Sequence, residues 1–204
     1  MIGIVINVYY FIEGVSGTGK STFVGNFFQD KEIIIIEGDA IKPYPFIDGR
    51  KITIEEYKKQ HRDKLRSLDR IKSNDVVIVG GLLHGVEYDL IGVYDFDKQR
   101  VIQYIRDMVV YIPSDSQIIY LETSNIVENT KNILNERYLL RPNWIRGIFD
   151  YLSRVLYCQK MGWNGEEGFI KFVEMLYDCD KSILQEIKVD MKILVRKIYI
   201  KLLH

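Results

Sequence analysis

The chain has 204 residues, 47% hydrophobic and 12% aromatic, enough for one domain with a full core and too apolar for a disordered chain. Basic and acidic residues number 28 each, for a formal net charge of zero, which argues against general DNA or RNA binding, where a basic excess is the rule. Cys158 and Cys179 stand outside any metal-ligand spacing and fit a reducing cytoplasm, and no run approaches the ~18–20 apolar residues of a membrane helix.

Ile4 to Ile12 is apolar and β-rich, as a buried parallel strand should be. No basic leader or cleavage site accompanies it, so a core strand is expected rather than a signal peptide, with the protein in the cytoplasm. The strand runs directly into Gly14-Val15-Ser16-Gly17-Thr18-Gly19-Lys20-Ser21-Thr22. This meets the phosphate-loop pattern G-x-x-x-x-G-K-[ST] in full. Glycines let the backbone curl so that several N–H groups point at one phosphate. The helix that follows adds the partial positive charge of its N-terminus.

Lys20 is expected to reach the β- and γ-phosphates, and the Ser21 hydroxyl to ligate Mg²⁺. Gly14, Ser16, Gly17, Thr18, Gly19, Lys20, Ser21 and Thr22 are therefore the candidate nucleotide-binding residues. A glycine-rich turn with a surface lysine is the bland alternative. The flanks oppose it, because Phe23, Val24, Phe27 and Phe28 continue at helical spacing and complete a strand–loop–helix unit.

Ile33 to Ile36 reads as a second strand, and residues 38–52 as a loop rich in glycine and proline. Thr53-Ile54-Glu55-Glu56 is a capping box. It opens a helix whose inward stripe is Ile54, Tyr57, His61, Leu65, Leu68 and Ile71. His61 on that stripe reads as a core or rim histidine. Asp75–Val79 is a third strand ending at Gly80-Gly81, followed by a loop with a short helical stretch.

Asp97 caps the next expected helix, which Pro113 closes. Gln117–Glu122 is the fourth strand. Asn125 to Glu128 opens a helix to about Arg137, and Pro142 starts another that continues through Val155. Asn164 to Glu167 opens the last. Ile193–Val195, or the run Ile198 to Leu203, supplies a final strand. Strands alternating with crossover helices mean a parallel sheet with both faces covered. The ligand belongs at the carboxyl ends of its strands.

Chemistry beyond phosphate binding needs further residues. Glu37-Gly38-Asp39 ends the second strand, and a carboxylate there can orient an acceptor hydroxyl and take its proton. A turn aspartate is the competing reading of Asp39. Arg137 and Arg141 follow the fourth strand and its helix, where arginines can fold over a nucleotide and neutralise developing charge. Arg146, at i,i+4 spacing from Asp150 and thence Arg154, reads equally as a solvated ion-pair face.

Taken with F-I-E-G-V-S-G-T-G-K-S-T at 11–22, the segments E-G-D at 37–39, V-V-I-V at 76–79, I-I-Y-L-E-T at 118–123 and E-R at 136–137 resemble the P-loop kinases of the thymidylate and deoxynucleoside kinase type. The later segment with Trp144, Tyr151, Gly162, Gly168 and Phe172 is similar to uncharacterised bacterial P-loop proteins. The resemblance implies one domain over residues 1–204 with the α/β, three-layer P-loop NTPase fold. It implies five parallel strands in order 2-3-1-4-5 with helices on both faces, and a helical lid at about 136–146.

It further implies ATP with Mg²⁺ as donor and an acceptor held between the second and third strands. Gly80-Gly81 stand where such kinases carry an acid, and the D-R-[YFH] and E-R-S signatures are absent. The expectation is an ATP-dependent phosphotransferase acting on a small acceptor such as a nucleoside, nucleotide or hydroxyl metabolite. Lys20, Asp39, Arg137 and Arg141 would be its catalytic residues, and a homodimer is left open. A regulatory ATPase or switch that passes phosphate to no acceptor is the alternative.

Overall fold

The computed structural model describes residues 8–71 and 74–187 in full and residues 192–197 by backbone alone. Strand β1 (Tyr9–Glu13) leads through the glycine loop into helix α1 (Lys20–Phe27). Strand β2 (Ile33–Glu37) passes into the short helix α2 (Gly38–Ile41). A small antiparallel hairpin, β3 (Phe46–Ile47) with β4 (Arg50–Lys51), follows. Helix α3 (Ile54–Ser67) then leads to β5 (Asp75–Val79), α4 (Val86–Gly92) and α5 (Lys98–Val109). Strand β6 (Ser116–Glu122) precedes α6 (Ile126–Leu140), α7 (Pro142–Arg154), α8 (Leu156–Met161), α9 (Gly165–Ile187) and β7 (Lys192–Lys197).

The sheet order is β2-β5-β1-β6-β7, and every neighbouring pair is parallel. Side chains are described for the first four of these strands and the backbone alone for β7. Alternation along each central strand feeds two cores. Tyr9 and Phe11, Val76 and Ile78, and Ile118 and Tyr120 face the larger core beneath α3, α5 and α9. Ile12, Val77, Ile119 and Leu121 face a smaller core closed by Val24 and Phe28 at α1.

Local signals set most helix starts. Thr53 and Glu56 form the full capping box, each bonding the other's backbone N–H. Asp97 accepts from the Arg100 amide and Asn125 from the Glu128 amide, and Pro142 occupies the first turn of α7. His61 is buried, with Nδ1 3.1 Å from the Tyr104 hydroxyl.

The structure differs from expectation in three places, and the expected Ile193–Val195 falls within the final strand. Residues 38–52 contain α2 and the β3–β4 hairpin rather than plain loop. Helix α6 runs three residues past Arg137 to Leu140. Val155 does not continue α7: it adopts an extended conformation (ψ 116°), and a separate helix α8 begins after it. The final strand is Lys192–Lys197, while the run Ile198 to Leu203 and the stretch Ile4 to Asn7 lie outside the described residues.

Candidate functional site

The loop between β1 and α1 places its glycines where side chains cannot stand. Gly17 has φ +81°, and a Cβ there would lie 1.6 Å from Ile133 Cδ1. Helix α6 thus rests directly on the loop. Gly19, in the left-handed region, is the N-cap of α1, and no side chain caps that end. No acidic residue stands in its first turn, so the positive end of the helix is not offset locally. The Thr18 hydroxyl donates to the Val15 carbonyl at 3.0 Å. Lys20 folds back along the loop, with Nζ donating to the carbonyls of Gly14 (2.6 Å) and Val15 (3.2 Å). Ser16 is partly exposed; Ser21 and Thr22 are exposed on the first turn of α1.

Three acids surround Lys20 from beneath. Glu13, the last residue of β1, is wholly buried and accepts the backbone N–H groups of Leu82 (2.9 Å) and His84 (3.0 Å). It ties the end of β1 to the turn after β5. Glu87 of α4 is also wholly buried, and its oxygens accept no hydrogen bond from another described residue. Asp180 of α9 accepts from the Tyr120 hydroxyl at 3.0 Å, and its other oxygen has no donor among the described residues. Burial raises all three carboxyls above their ordinary range, and for Glu87 the neighbouring Asp180 adds to it. Burial lowers the Lys20 ammonium, while Glu13, Glu87 and Asp180 act in the opposite direction.

Glu13 entered the sequence reading only as part of the F-I-E-G segment, and Glu87, in the loop after the third strand, carried no motif. Asp180 carried no signal, since it lies mid-helix among core residues far along the chain. Only the packing of α4 and α9 against the end of β1 brings the three together.

A cleft of about 380 Å³ opens beside the loop. Ser16 forms one edge, and His84, Tyr88 and Asp89 of the β5–α4 segment form the floor. Lys42 and Arg137 enter from opposite elements, and Trp144, Tyr151 and Phe169 supply aromatic wall. The Arg137 guanidinium carbon lies 3.9 Å from the centre of the Trp144 ring. Burial and Arg141 lower the pKa of Arg137, yet at ordinary pH it stays a cation. Asp89 accepts from the Tyr57 hydroxyl at 2.8 Å, and burial pushes its carboxyl up to about 6.

The expected catalytic residues are thus divided. Lys20 and Arg137 are near enough to influence each other's charge, on the loop and the cleft wall respectively. Asp39 stands apart in the first turn of α2, with its side chain 81% exposed and 3.7 Å from Lys42. Arg141 is exposed at the junction of α6 and α7. Arg154 pairs with Asp150 on the outer face of α7.

At the end of β5, Gly81 has no room for a side chain, while Gly80 is held at φ +80° with only ordinary contacts to His84. A Cβ on Gly38 would lie 2.7 Å from the Gly80 carbonyl carbon, and one on Gly81 would lie 2.7 Å from the Gly38 oxygen. The two strand ends touch backbone to backbone.

The residues present fit a nucleoside triphosphate: a curled glycine loop, an uncapped helix N-terminus and a lysine already inside the loop. They also fit Mg²⁺, which usually takes one or two protein oxygens and completes its shell with phosphates and water. Ser21 and Glu37 line a second cleft of about 310 Å³ on the other side of the loop. Among the described residues no group of three or more His, Cys, Asp and Glu is placed to hold a metal alone. No helix among them is long and apolar enough to cross a membrane.

No protein-family model matches the chain. No curated protein matches it either. Among solved structures, the chain is similar to the YorR protein of Bacillus subtilis in complex with phosphorylated GDP. The TM-score is 0.47 at 12% identity, over 93% of this chain and 85% of that one. It is also similar to a eukaryotic dimethylallyltransferase acting on tRNA, with a TM-score of 0.39 at 14% identity, over 93% and 74% of the two chains. Likenesses this loose say nothing about activity.

Proposed function

We propose that the protein is an ATP-dependent, Mg²⁺-requiring phosphotransferase acting on a small hydroxyl-bearing molecule. One observation carries this reading: the glycine loop and a separate 380 Å³ cleft share Ser16 as a common edge, with Arg137 in the cleft wall. A triphosphate site with a second site beside it is what transfer between two ligands needs.

The loop N–H groups and the α1 terminus bind and orient the triphosphate. Lys20 swings from the Gly14 and Val15 carbonyls to the phosphate oxygens. Arg137, held by Trp144, faces the transferred group and stabilises its charge. Arg141, exposed at the α6–α7 junction and close enough to act on Arg137, would add a second cation there. Ser21 supplies a hydroxyl to Mg²⁺, with Glu37 beside it, and the ion neutralises charge across the phosphate oxygens when bound.

A nucleotide-binding switch without an acceptor is the second reading. It is favoured by the bare Gly80-Gly81 end of β5. ADP release from Mg·ATP, with and without pooled nucleosides, nucleotides and small alcohols, separates the two. Release that depends on one pool supports the phosphotransferase. Slow release indifferent to every pool, alongside ATP binding, supports the switch. Lys20→Ala is expected to abolish turnover and weaken ATP binding; undiminished activity would contradict the site assignment.

A further inference from the structure

Asp89 has the features of a base and is not accounted for by packing alone. It lies on the cleft floor with Ser16, Lys42 and Arg137. Tyr57 donates to one of its oxygens, which fixes the carboxylate plane and leaves the other oxygen for a ligand. Its ordinary alternative, Asp39, is 81% exposed, paired with Lys42, and outside the cleft lining.

His84, beside it, is buried with Nδ1 lacking a partner among the described residues. Burial and the nearby cations Lys20, Lys42 and Arg137 keep its ring neutral. The rest of the lining is mostly flat and apolar: Tyr88, Trp144, Tyr151 and Phe169.

We propose that this cleft is the acceptor site and that Asp89 is its general base, serving a small alcohol that carries a flat ring. The inference rests on the phosphotransferase reading. In the step, Asp89 takes the hydroxyl proton as the acceptor oxygen forms a bond to the γ-phosphorus. The bond from that phosphorus to the β,γ-bridging oxygen breaks, and ADP leaves with the electron pair. Asp89 then returns its proton to solvent. The aromatic wall takes the ring.

The charged and titratable groups acting on Asp89 are Lys42 and Asp39 from the α2 side and Tyr57 from α3. Tyr94, Tyr104 and Tyr151 feel its charge in turn. None of these tyrosines ionises below pH 9, because burial raises each of them. Burial pushes the Asp89 carboxyl up to about 6, so its ionisation contributes to the acid limb beside that of the raised acids around Lys20, and Asp89→Asn removes its share alone. Activity should rise with pH through that value as the base form accumulates.

The test uses two pools with Mg·ATP: ring-bearing alcohols (2-phenylethanol, pyridoxine, uridine) and open-chain ones (glycerol, ribitol, serine). It compares wild type with Asp89→Asn and Asp39→Asn. Asparagine keeps an oxygen for the Tyr57 hydroxyl, so the variant should fold and bind ATP as wild type does. Expected are transfer with the ring-bearing pool, a loss of ~10²–10⁴-fold in kcat for Asp89→Asn, and disappearance of its share of the acid limb. Saturation-transfer NMR without nucleotide should show the ring alcohols bound to wild type and to Asp89→Asn alike. Transfer with the open-chain pool alone would overturn the ligand class. Wild-type kcat and pH profile in Asp89→Asn, with the loss falling on Asp39→Asn, would overturn the base while leaving the phosphotransferase intact. No transfer to either pool by wild type would sink the phosphotransferase reading itself, and this inference with it.

Discussion

Arg137 of α6 and Trp144 of α7 lie face to face across the Leu140–Pro142 corner, the guanidinium carbon 3.9 Å from the ring centre. The corner itself is exposed, and Tyr138, Leu139 and Leu140 present apolar side chains to solvent there. The stacking is therefore what fixes the direction of Arg137, not burial of the surrounding segment. A cation held this way at a partly buried site gains about 0.5–2 kcal/mol.

Removing either partner should be felt in turnover and not in ATP affinity. Arg137→Ala is expected to lower kcat by ~10³–10⁵-fold, the range in which arginines act on a transferred phosphoryl group. Trp144→Leu keeps the arginine but frees it, and a loss of ~3–30-fold corresponds to the stacking energy. Steady-state kinetics with a nucleotide-binding titration checks both. A weakened ATP affinity with unchanged kcat would place Arg137 outside the transfer step.

The contact between Gly38 and Gly81 predicts a stability effect. Gly81 has φ +96°, and its Cβ would stand 2.7 Å from the Gly38 carbonyl oxygen and 2.9 Å from its Cα. Neither backbone can yield without parting β2 from β5. Gly81→Ala should cost about 2–5 kcal/mol, combining backbone strain with overpacking. Denaturant unfolding reads this directly, and a change within about 0.5 kcal/mol would show that the two strand ends have room.

The buried acids predict how stability changes with pH. Burial raises the Glu87 carboxyl, so the folded chain holds that proton more tightly than the unfolded chain does. The associated stability is complete below the ordinary carboxylate range and is lost as pH rises toward the folded value. Glu87→Gln stays neutral throughout the pH range. Its advantage over wild type should therefore grow between pH 5 and pH 8. Thermal unfolding at several pH values measures the gap. Parallel curves would mean that Glu87 ionises as freely folded as unfolded.

Contiguity decided what the sequence could reveal. The glycine loop is legible because its chemistry lies within nine neighbouring residues, and the Thr53, Asp97 and Asn125 caps are legible because each acts over three. The apolar runs at 33–36 and 75–79 read correctly as strands, and the structure pairs them in parallel. The acid cluster was illegible for the opposite reason: Glu13, Glu87 and Asp180 come from a strand end and two distant helices. Asp39 illustrates a related limit. Its place after a strand suggested a site residue, but the helical turn Gly38–Ile41 leaves its side chain exposed beside Lys42. Asp89 offered no motif, since it reads as one more acid on a short helix, and only its burial against Tyr57 distinguishes it.

The most direct test of phosphoryl transfer is the fate of the γ-phosphate. ATP labelled at that position, incubated with Mg²⁺, the protein and the pooled alcohols, should give label on an organic product, dependent on Lys20 and Arg137. Label recovered solely as inorganic phosphate, at a rate no pool changes, would contradict the account.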